Sequence, residues 1–219
     1  MIGATEVKRE EQTIDLTAPN TSITSGPTNG GWLLATSTRL GYSASEAGST
    51  FACKLDAAVK ACGGTSLALS GLSQASHVFT VAAKDAAGNA DASPATRTFT
   101  VPRNNTTLTH SSGWAKRTAS GYYLNSFSET KTKGKSLSKG VTGMRKLSLV
   151  ATKNRGYGSV RVYLGTTLLK TVSLNATSLK KKQVIPIASF GSARSGTVKV
   201  VVYSANKTVR IEGLGVATR

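Results

Sequence analysis

The sequence predicts an all-β protein with two β-sandwich domains in tandem. Short segments of alternating apolar and polar residues recur about every 8–12 residues, separated by polar turns, as they do in sandwiches. A junction at residues 13–26 returns about ninety residues later, at residues 98–113, and this spacing matches one sandwich-sized domain. No segment of the first half combines a helical periodicity with caps at both ends. We therefore expect strands joined by turns.

The repeated junction divides the chain into three parts. We expect residues 17–102 to form the first sandwich and residues 103–219 the second, while residues 1–16 are the last strand of a preceding repeat or a linker. The beginning of the chain is mixed and charged, unlike a signal peptide, and no apolar run is long enough to span a membrane. A secreted protein read without its signal fits this pattern, and so does a virion protein exported by cell lysis.

The first domain carries four clear strand segments. Residues 40–44 and 50–55 alternate in the manner of half-buried strands. Residues 78–83 lead into residues 85–89, where Gly and Asn supply the positive φ angles that a hairpin loop needs. Residues 97–101 complete the domain.

The second domain alternates more cleanly between apolar and polar residues. Its predicted strands are residues 146–151, 159–164, 168–174, 183–187, 197–203 and 209–214. Pro186 places its strand at a sheet edge or at a bulge, because proline cannot donate to the strand ladder. Lys, Arg, Thr and Ser often occupy the alternate positions, which face solvent. We expect much of the positive charge to cover outward strand positions.

Charge is distributed unevenly between the two halves. Residues 1–102 contain 7 Lys and Arg against 8 Asp and Glu, whereas residues 103–219 contain 21 against 2. The resulting net charges of −1 and +19 give the +18 of the whole chain. This excess is larger than the charge of roughly 2–8 that solubility requires. It indicates an anionic partner such as nucleic acid, an acidic wall polymer, a phospholipid surface or another protein; the alternative is a role in solubility alone.

The two cysteines, Cys53 and Cys62, each end a short strand-like run. A hairpin would place them opposite each other and within reach of a disulfide. We therefore expect a disulfide and, with it, an oxidising extracellular setting. His77 and His110 do not complete a zinc-finger spacing with the cysteines, so we expect no metal site of that kind.

Several motifs of the first domain occur in a fixed order, at residues 17–23, 45–56, 61–62, 72–79 and 83–89. Together they resemble the bacterial Ig-like repeats of secreted actinobacterial proteins. The resemblance implies a seven-stranded Ig-like or fibronectin-like sandwich that serves as a spacer or adhesion module without catalysis. It also maps the cysteine pair of the family onto Cys53 and Cys62. The sequence departs from the family at Asp56-Ala57-Ala58, where a glycine usually follows the aspartate.

The second domain has its own set of motifs, at residues 113–114, 121–123, 156–164, 171–174 and 209–216. These resemble the small jelly-roll modules that often end such arrays and that are similar in fold to carbohydrate-binding domains. The resemblance implies a jelly-roll-like sandwich with a carbohydrate-binding role. Leu164 precedes Gly165 where the family commonly has an aspartate, and the scarcity of carboxylates argues against a calcium-assisted sugar site.

Carbohydrate recognition requires aromatic rings that lie against the apolar face of a sugar, with hydrogen-bonding side chains around them. The candidates are Trp114, Tyr122, Tyr123 and Tyr157, with Lys153, Asn154 and Arg155 beside Tyr157. The alternative for Trp114 and for one of the two adjacent tyrosines is a place in the core, because neighbours in a strand face opposite sides. Tyr157 lies in a Gly-flanked loop, which is consistent with a ligand contact or with a loop that contacts no ligand.

Two lysine groups are candidates for binding phosphate or sulfate. They are Lys131, Lys133 and Lys135, continued by Lys139, and the run Lys180, Lys181 and Lys182. The spacing of two in the first group puts at least three ammonium groups on one strand face or along one extended loop. Phosphate contacts of this kind give salt-dependent affinity; the alternative is a solvated face. No helix-turn-helix, RNA-recognition or OB-type pattern occurs, so we expect no sequence-specific nucleic-acid binding.

The sequence nominates neither a cation site nor a catalytic pair. Asp85, Asn89 and Asp91 flank a Gly-containing loop but lack the EF-hand spacing, so a turn is the preferred interpretation. The second domain contains only Glu129 and Glu212 as carboxylates, far apart in sequence. Acid–base and nucleophilic catalysis need partners within hydrogen-bond reach. We therefore predict a protein that is not an enzyme and that needs no cofactor.

Three functional interpretations follow from these observations. In the first, an extracellular or cell-surface protein uses the Ig-like domain as a spacer that presents a basic module to a polysaccharide or an anionic wall polymer. In the second, the chain is a virion structural protein, such as a capsid decoration or a tail appendage, whose partners are other virion or surface proteins. In the third, it is a structural module of an array without a ligand.

Overall fold

The structure is a computed structural model, and it describes residues 14–219. It contains seventeen strands in three sheets and two short 3-10 turns, which confirms the predicted all-β sandwich class. Most of residues 1–16 lies outside the described residues, and residues 14–20 contain no strand. The prediction of a preceding strand or linker there stays a prediction. Within residues 14–219, no helix has the length and apolar character needed to cross a bilayer.

The first domain packs two sheets against each other. Its strands are β1 (Thr21–Ser25), β2 (Gly31–Trp32), β3 (Thr38–Ala44), β4 (Thr50–Leu55), β5 (Ala58–Lys60), β6 (Ser66–Leu69), β7 (Ser76–Lys84) and β8 (Ala95–Thr100). One sheet has the order β1-β3-β6, and the other has the order β2-β8-β7-β4-β5. All pairs are antiparallel except β2 with β8, which is parallel.

The core of this domain follows from strand alternation. In β7, every second residue is buried, including Phe79 and Val81, while the residues between them are more exposed. Leu40 and Tyr42 of β3 and Phe99 of β8 complete the centre of the core, each at most 1% exposed. Full burial of each large apolar side chain contributes about 1.5–3 kcal/mol. The two facing sheets are thus held together by a small cluster of aromatic and aliphatic side chains.

The β4–β5 hairpin carries the disulfide. Cys53 in β4 is bonded to Cys62, two residues beyond the end of β5, as the sequence predicts. The turn between the strands consists of Asp56 and Ala57, whose φ angles are 51° and 69°. A type I′ turn requires two such positive angles, which glycine adopts most easily. The turn therefore forms with alanine, and not glycine, at the position after Asp56.

The side chain of Asp91 holds one loop of the first domain in place by hydrogen bonds. Asp91 accepts hydrogen bonds from the backbone amides of Thr21 and Ser93, at 2.8 and 2.7 Å. Hydrogen bonds from Thr21 and then Ser93 lower the pKa of Asp91 to about 2. The carboxylate of Asp91 thereby ties the first strand to the loop that precedes β8.

The second domain contains nine strands. They are β9 (Arg103–Asn104), β10 (Thr109–His110), β11 (Ala115–Thr118), β12 (Ser126–Thr130), β13 (Ser136–Lys153), β14 (Ser159–Leu164), β15 (Thr167–Ser173), β16 (Lys180–Val202) and β17 (Val209–Ala217). The hydrogen-bonded order is β11-β12-β17-β13-β16-β14-β15, with β10 added to β13 and β9 to β17.

The long strands β13 and β16 form part of both layers of this sandwich. The first part of β13, residues 136–141, pairs with the last part of β16, and β14 pairs with that same last part. The second part of β13 pairs with the first part of β16 and with β17. We call the two halves the β14 layer and the β17 layer. Register shifts lie where the strands pass from one layer to the other.

The prediction of separate strands at residues 183–187 and 197–203 was wrong in one respect, since residues 183–187 and 197–202 belong to the single strand β16. The apolar pattern breaks between them because residues 191–197 are exposed, but the ladder with β13 continues. Pro186 lies in the first part of β16, which has β13 on one side only, and a register shift falls beside it. The predicted edge or bulge position is therefore observed.

Both layers face a single apolar core. Val160 and Val162 of β14 are fully buried, as are Leu147 and Leu149 of β13 and Ile211 of β17. In β14 the residues between them are more exposed, whereas in this part of β13 and in β17 they are buried as well. The alternation in β14 fixes its register, because a slip by one residue would move Val160 and Val162 from the core to the outer face.

The two domains contact each other through a tight junction. The ring of Trp32 in β2 packs so closely on the backbone of Gly215 in β17 that a Cβ atom at Gly215 would lie 2.6 Å from it. The amide of Asn104 donates to the Gln74 side chain at 2.6 Å, and the amide of Thr218 donates to Ser76 at 3.0 Å. Apolar packing and hydrogen bonds thus link the last strand of the second domain to the first domain.

Candidate functional site

The strand pairing gathers several loops of the second domain at one end of the sandwich. Thr130 at the end of β12 pairs with Val209 at the start of β17, and Lys153 at the end of β13 pairs with Lys180 at the start of β16. The loops that leave these ends are residues 131–135, 154–158, 174–179 and 203–208. Direct hydrogen bonds join them, for example from the amide of Asn206 to the carbonyl of Lys131. We call these four loops, with Lys153 and Lys180, the basic loop end.

Four of the predicted ligand residues lie together in this region. Lys153, Asn154, Arg155 and Tyr157 occupy the end of β13 and the turn that follows it. The turn is closed by a hydrogen bond of 3.2 Å from the amide of Tyr157 to the carbonyl of Asn154. A second bond of 2.8 Å joins the amide of Gly156 to the side chain of Asn175. Arg155 is exposed, whereas Lys153 and Asn154 are half-buried.

Tyr157 is fixed beside an arginine that the sequence did not nominate. Its half-buried ring packs on the core, and the guanidinium carbon of Arg210 lies 5.6 Å from the ring centroid. Burial raises the pKa of Tyr157, while the positive charge of Arg210 opposes that shift. The phenol is therefore neutral at physiological pH and available for hydrogen bonding.

Tyr122 is not an open platform for a ligand. Its ring is 5% exposed and stacks on Phe127 with a centroid separation of 4.2 Å. Its hydroxyl accepts a hydrogen bond of 2.8 Å from Arg210, and the Lys181 ammonium lies 4.2 Å from its ring. Such a cation–π contact is worth about 0.5–2 kcal/mol. Tyr122 thus positions two cations and does not present a free ring face.

Tyr123 is placed by the structure at the domain junction, away from solvent. It is fully buried, its hydroxyl donates to the carbonyl of Pro102 at 2.6 Å, and its amide donates to Glu212 at 2.7 Å. The expectation that Tyr123 contacts a ligand is corrected by this burial. The two neighbouring tyrosines do not alternate across a strand, because they lie in a loop and a 3-10 turn before β12.

Trp114 lies near the same end of the sandwich, but its ring belongs to the edge of the core. It is half-buried against the apolar cluster, and its ring meets that of His110 edge-on at 6.4 Å. Its indole nitrogen is buried without a partner among residues 14–219. Burial lowers the pKa of His110. The core alternative for Trp114 is therefore the arrangement that the structure shows.

Only some members of each predicted lysine group lie free at the basic loop end. Lys131 and Lys133 are exposed in one loop of the basic loop end, and Lys135 follows them, its ammonium 3.3 Å from the Ser112 hydroxyl. Lys180 is exposed opposite Lys153, whereas Lys181 turns toward Tyr122 and donates to the carbonyl of Ser120 at 3.2 Å. Lys182 is exposed, and its backbone has a φ of 54°. Lys139 lies within β13, where its ammonium donates to the carbonyl of Thr107.

Both carboxylates of the second domain are engaged internally. Glu129 pairs with Arg210 on the neighbouring strand, and both side chains are about one quarter exposed, at 21% and 26%. Glu212 is fully buried and accepts from the Tyr123 amide, the Thr152 hydroxyl and the Lys182 amide at 2.7, 2.7 and 2.9 Å. The sequence identified these two residues as the acidic side chains of this domain but not the partners that hold them.

Three acidic side chains of the first domain approach one another. Possible ligand atoms of Asp15, Glu46 and Asp85 lie within 4.8 Å of one another. Burial acts to raise the pKa of Asp85, but hydrogen bonds from Asn89 and two backbone amides outweigh it and lower that pKa. Burial and then the charges of Asp85 and Asp15 raise the pKa of Glu46. The Asp85 oxygens therefore accept hydrogen bonds from Asn89 within residues 85–89, which the sequence predicted as a turn.

Comparisons with known proteins return sandwich folds at low similarity. No protein family matches the sequence, and no curated protein matches it. The CBM36-1 domain of a multidomain xylanase, from the hindgut metagenome of Trinervitermes trinervoides, is 15% identical with a TM-score of 0.40. The match covers 52% of this chain and 93% of that domain. CsCBM6-3 from Clostridium stercorarium, solved with cellobiose, is 13% identical with a TM-score of 0.39, covering 53% of this chain and 92% of its own.

A third structure covers more of the chain. It represents the carbohydrate-binding modules of promiscuous specificity from the β-sandwich superfamily and is 9% identical with a TM-score of 0.43. The match covers 92% of this chain and 99% of that structure. The three neighbours are carbohydrate-binding modules. At these identities and TM-scores, the likeness says nothing about the ligand of this chain.

Proposed function

We propose that this protein is a non-catalytic binding protein of an extracellular or cell-surface setting, in which the Ig-like first domain is a spacer for the second. The second domain binds an anionic polysaccharide or wall polymer through the basic loop end. The observation that carries this proposal is the state of the charges in residues 103–219. Both carboxylates are engaged inside the domain, and among residues 14–219 only Arg210, of these 21 lysines and arginines, has a carboxylate partner.

The uncompensated cations have a physical consequence. Neighbouring positive charges on a surface without acids raise its potential and attract polyanions over a Debye length of about 8 Å at physiological salt. The basic loop end concentrates this effect, because Lys131, Lys133, Lys153, Arg155 and Lys180 belong to loops and strand ends that adjoin one another. A repeating anionic polymer fits such a surface better than a small neutral ligand does.

Tyr157 supplies the element that distinguishes a sugar site from a general cation surface. Its ring lies in the turn that also holds Asn154 and Arg155. An aromatic ring beside amide and guanidinium donors can contact the apolar face of a sugar and hydrogen-bond its hydroxyl or acidic groups. The non-catalytic part of the proposal rests on Glu129 and Glu212, since each is held by groups that leave no acid–base pair. The disulfide between Cys53 and Cys62 supports the extracellular setting.

The test is calorimetric titration of the full chain with a neutral glucan, a polyuronate, a polyol phosphate and duplex DNA, at several salt concentrations. We expect at least one anionic glycan or wall polymer to bind, with affinity that falls as salt rises. The double variant Lys153→Ala/Arg155→Ala should weaken that binding about 10-fold or more, since a charged hydrogen bond contributes about 1.5–3 kcal/mol.

Arg194 provides the matched control. It is exposed in β16, in the bend that lies away from the basic loop end. Arg194→Ala should change the affinity by less than about 2-fold, because a lone surface charge contributes little. No binding of any anionic polymer at low salt would refute the proposed function. Equal losses in both variants would refute the location of the site.

A further inference from the structure

The outward face of the β14 layer carries a second group of aromatic and cationic side chains. Arg161 of β14 pairs with Val201 of β16, and Tyr163 pairs with Lys199. Residues opposite each other in a sheet point to the same side, and the alternate residues Val160 and Val162 fill the core. Arg161, Tyr163 and Lys199 therefore share the outward face, and no prediction from the sequence assigned them to a site.

The side chain of Arg161 is held in place by an aromatic ring and, among residues 14–219, has no anionic partner. Its guanidinium carbon lies 3.8 Å from the centroid of the Tyr203 ring. Within residues 14–219 it has no carboxylate within 4.0 Å, and its Nε atom is buried without a hydrogen-bond acceptor. A guanidinium that is stacked on a ring loses little further freedom when it binds, and its planar fork matches an oxyanion. The structure thus holds Arg161 ready for a carboxylate, sulfate or phosphate group.

Further groups extend this position into an elongated surface. The Lys133 ammonium lies 5.8 Å from the Tyr203 ring, on the side of the basic loop end. In the other direction, an open groove of about 300 Å³ runs along the sheet, lined by Tyr163, Gly165, Thr166, Lys199 and Val201. Lys199 is exposed within it. Cations and tyrosines therefore continue from the basic loop end across the sheet face.

We propose that Arg161, stacked on Tyr203, binds an oxyanion group of an extended anionic polysaccharide that continues along the groove past Lys199 and Tyr163. The inference rests on the proposed function and deepens it, since it requires a ligand that is a chain of several units and not a chain end alone. The shared chemistry is an oxyanion on a polyhydroxylated chain, whether a uronate carboxylate, a sulfate ester or a phosphodiester.

Single-stranded nucleic acid would also carry oxyanions, but the geometry of the rings favours a polysaccharide. Stacking of successive bases needs open aromatic faces. One face of Tyr203 is already covered by the Arg161 guanidinium, and the Tyr163 ring is half-buried. The two rings therefore position cations and line a groove, which suits a chain recognised at its acidic groups and hydroxyls.

The experiment compares Arg161→Met with Arg194→Met in the full chain. The probes are a polyuronate, a sulfated and a polyol-phosphate oligomer, with single-stranded DNA as the comparison. We expect Arg161→Met to weaken the binding of at least one oligomer by about 10- to 100-fold, and Arg194→Met to change it by less than about 2-fold. The oligomer with the largest loss identifies the anionic group. Arg161→Lys should lose most of the same affinity because it lacks the planar fork, whereas Tyr203→Phe should retain it because the stack remains.

A direct readout keeps the result independent of folding defects. In NMR titrations of the unmodified chain, the amides of Arg161, Tyr163 and Lys199 and the Arg161 side chain should shift with the oligomer. Shifts confined to the basic loop end, or equal affinities of Arg161→Met and Arg194→Met, would overturn this inference and leave the proposed function standing. Absence of binding by the unmodified chain would overturn both. Tighter Arg161-dependent binding of single-stranded DNA than of every oligomer would overturn the ligand class.

Discussion

Replacing Glu212 by alanine should destabilise the second domain more than any other change of a charged residue. The side chain is fully buried and accepts three hydrogen bonds, from the amides of Tyr123 and Lys182 and the hydroxyl of Thr152. Its removal leaves three donors without an acceptor, and each buried unsatisfied group costs about 1–3 kcal/mol. Water can relieve part of this cost in the cavity that remains. We expect a loss of about 3–5 kcal/mol in the free energy of unfolding.

Urea denaturation followed by fluorescence measures this loss. With a slope of about 2 kcal/mol per molar urea, a loss of about 4 kcal/mol lowers the midpoint by about 2 M. Glu129→Ala is the matched control, because it removes the only other acidic side chain of residues 103–219. Its partly exposed ion pair with Arg210 should contribute at most about 1 kcal/mol.

A double-mutant cycle separates the contacts of Glu212 from general loss of packing. Thr152→Val removes one of the three donors, and in the Glu212→Ala background it should cost much less than in the unmodified chain, since its hydroxyl has no acceptor there. Equal destabilisation by Glu212→Ala and Glu129→Ala would refute the reasoning, and so would strict additivity in the cycle.

Three further changes test other features. Ala57→Gly relieves a φ of 69° and should raise the free energy of unfolding by about 1 kcal/mol, seen as a higher urea midpoint; an unchanged or lower midpoint would contradict the turn assignment. Gly215→Ala places a Cβ 2.6 Å from the Trp32 ring and should destabilise the junction by about 1–3 kcal/mol in thermal unfolding; an unchanged melting curve would show that the ring is not held there. Asp91 has a pKa of about 2, so its contribution to stability is complete above the ordinary aspartate pKa and is lost as the pH falls through 2. Asp91→Asn should therefore make the free energy of unfolding depend less steeply on pH between pH 2 and 5. An unchanged pH dependence would exclude this role of Asp91.

Strands whose limits are set by local chemistry could be predicted from the sequence. Residues 50–55 and 159–164 coincide with β4 and β14 because alternation and adjacent turn residues define both ends. The strand β12, in contrast, carries the sequence Ser-Phe-Ser-Glu-Thr, which contains a single large apolar residue. It is a strand because β11 and β17 pair with it. Long-range pairing of this kind leaves no mark in the local sequence.

In the candidate site, too, residues that are neighbours in the sequence could be predicted, whereas residues brought in by long-range strand pairing could not. The cluster Lys153, Asn154, Arg155 and Tyr157 could be found because its members are neighbours in one Gly-flanked turn. Arg210 could not, because it reaches Tyr157 and Tyr122 only through the pairing of β17 with β12 and β13.

The burial of Tyr123 also depends on distant partners. The carbonyl of Pro102 and the carboxyl group of Glu212 receive its two hydrogen bonds. Residue type and spacing identify which side chains can recognise a ligand, whereas the topology decides which of them reach the surface together.

The passage of β13 and β16 through both layers bears on how the second domain folds. Neither layer can form a complete ladder alone, since each contains only part of both strands, and the pairing of Ser136 with Val201 must close a long loop. Closing a loop of this length costs chain entropy before the favourable contacts between the strands have formed. Domains dominated by such pairings fold in about milliseconds to seconds. The two layers should consequently appear together in one slow cooperative step, and a folding intermediate with a single finished layer should not accumulate.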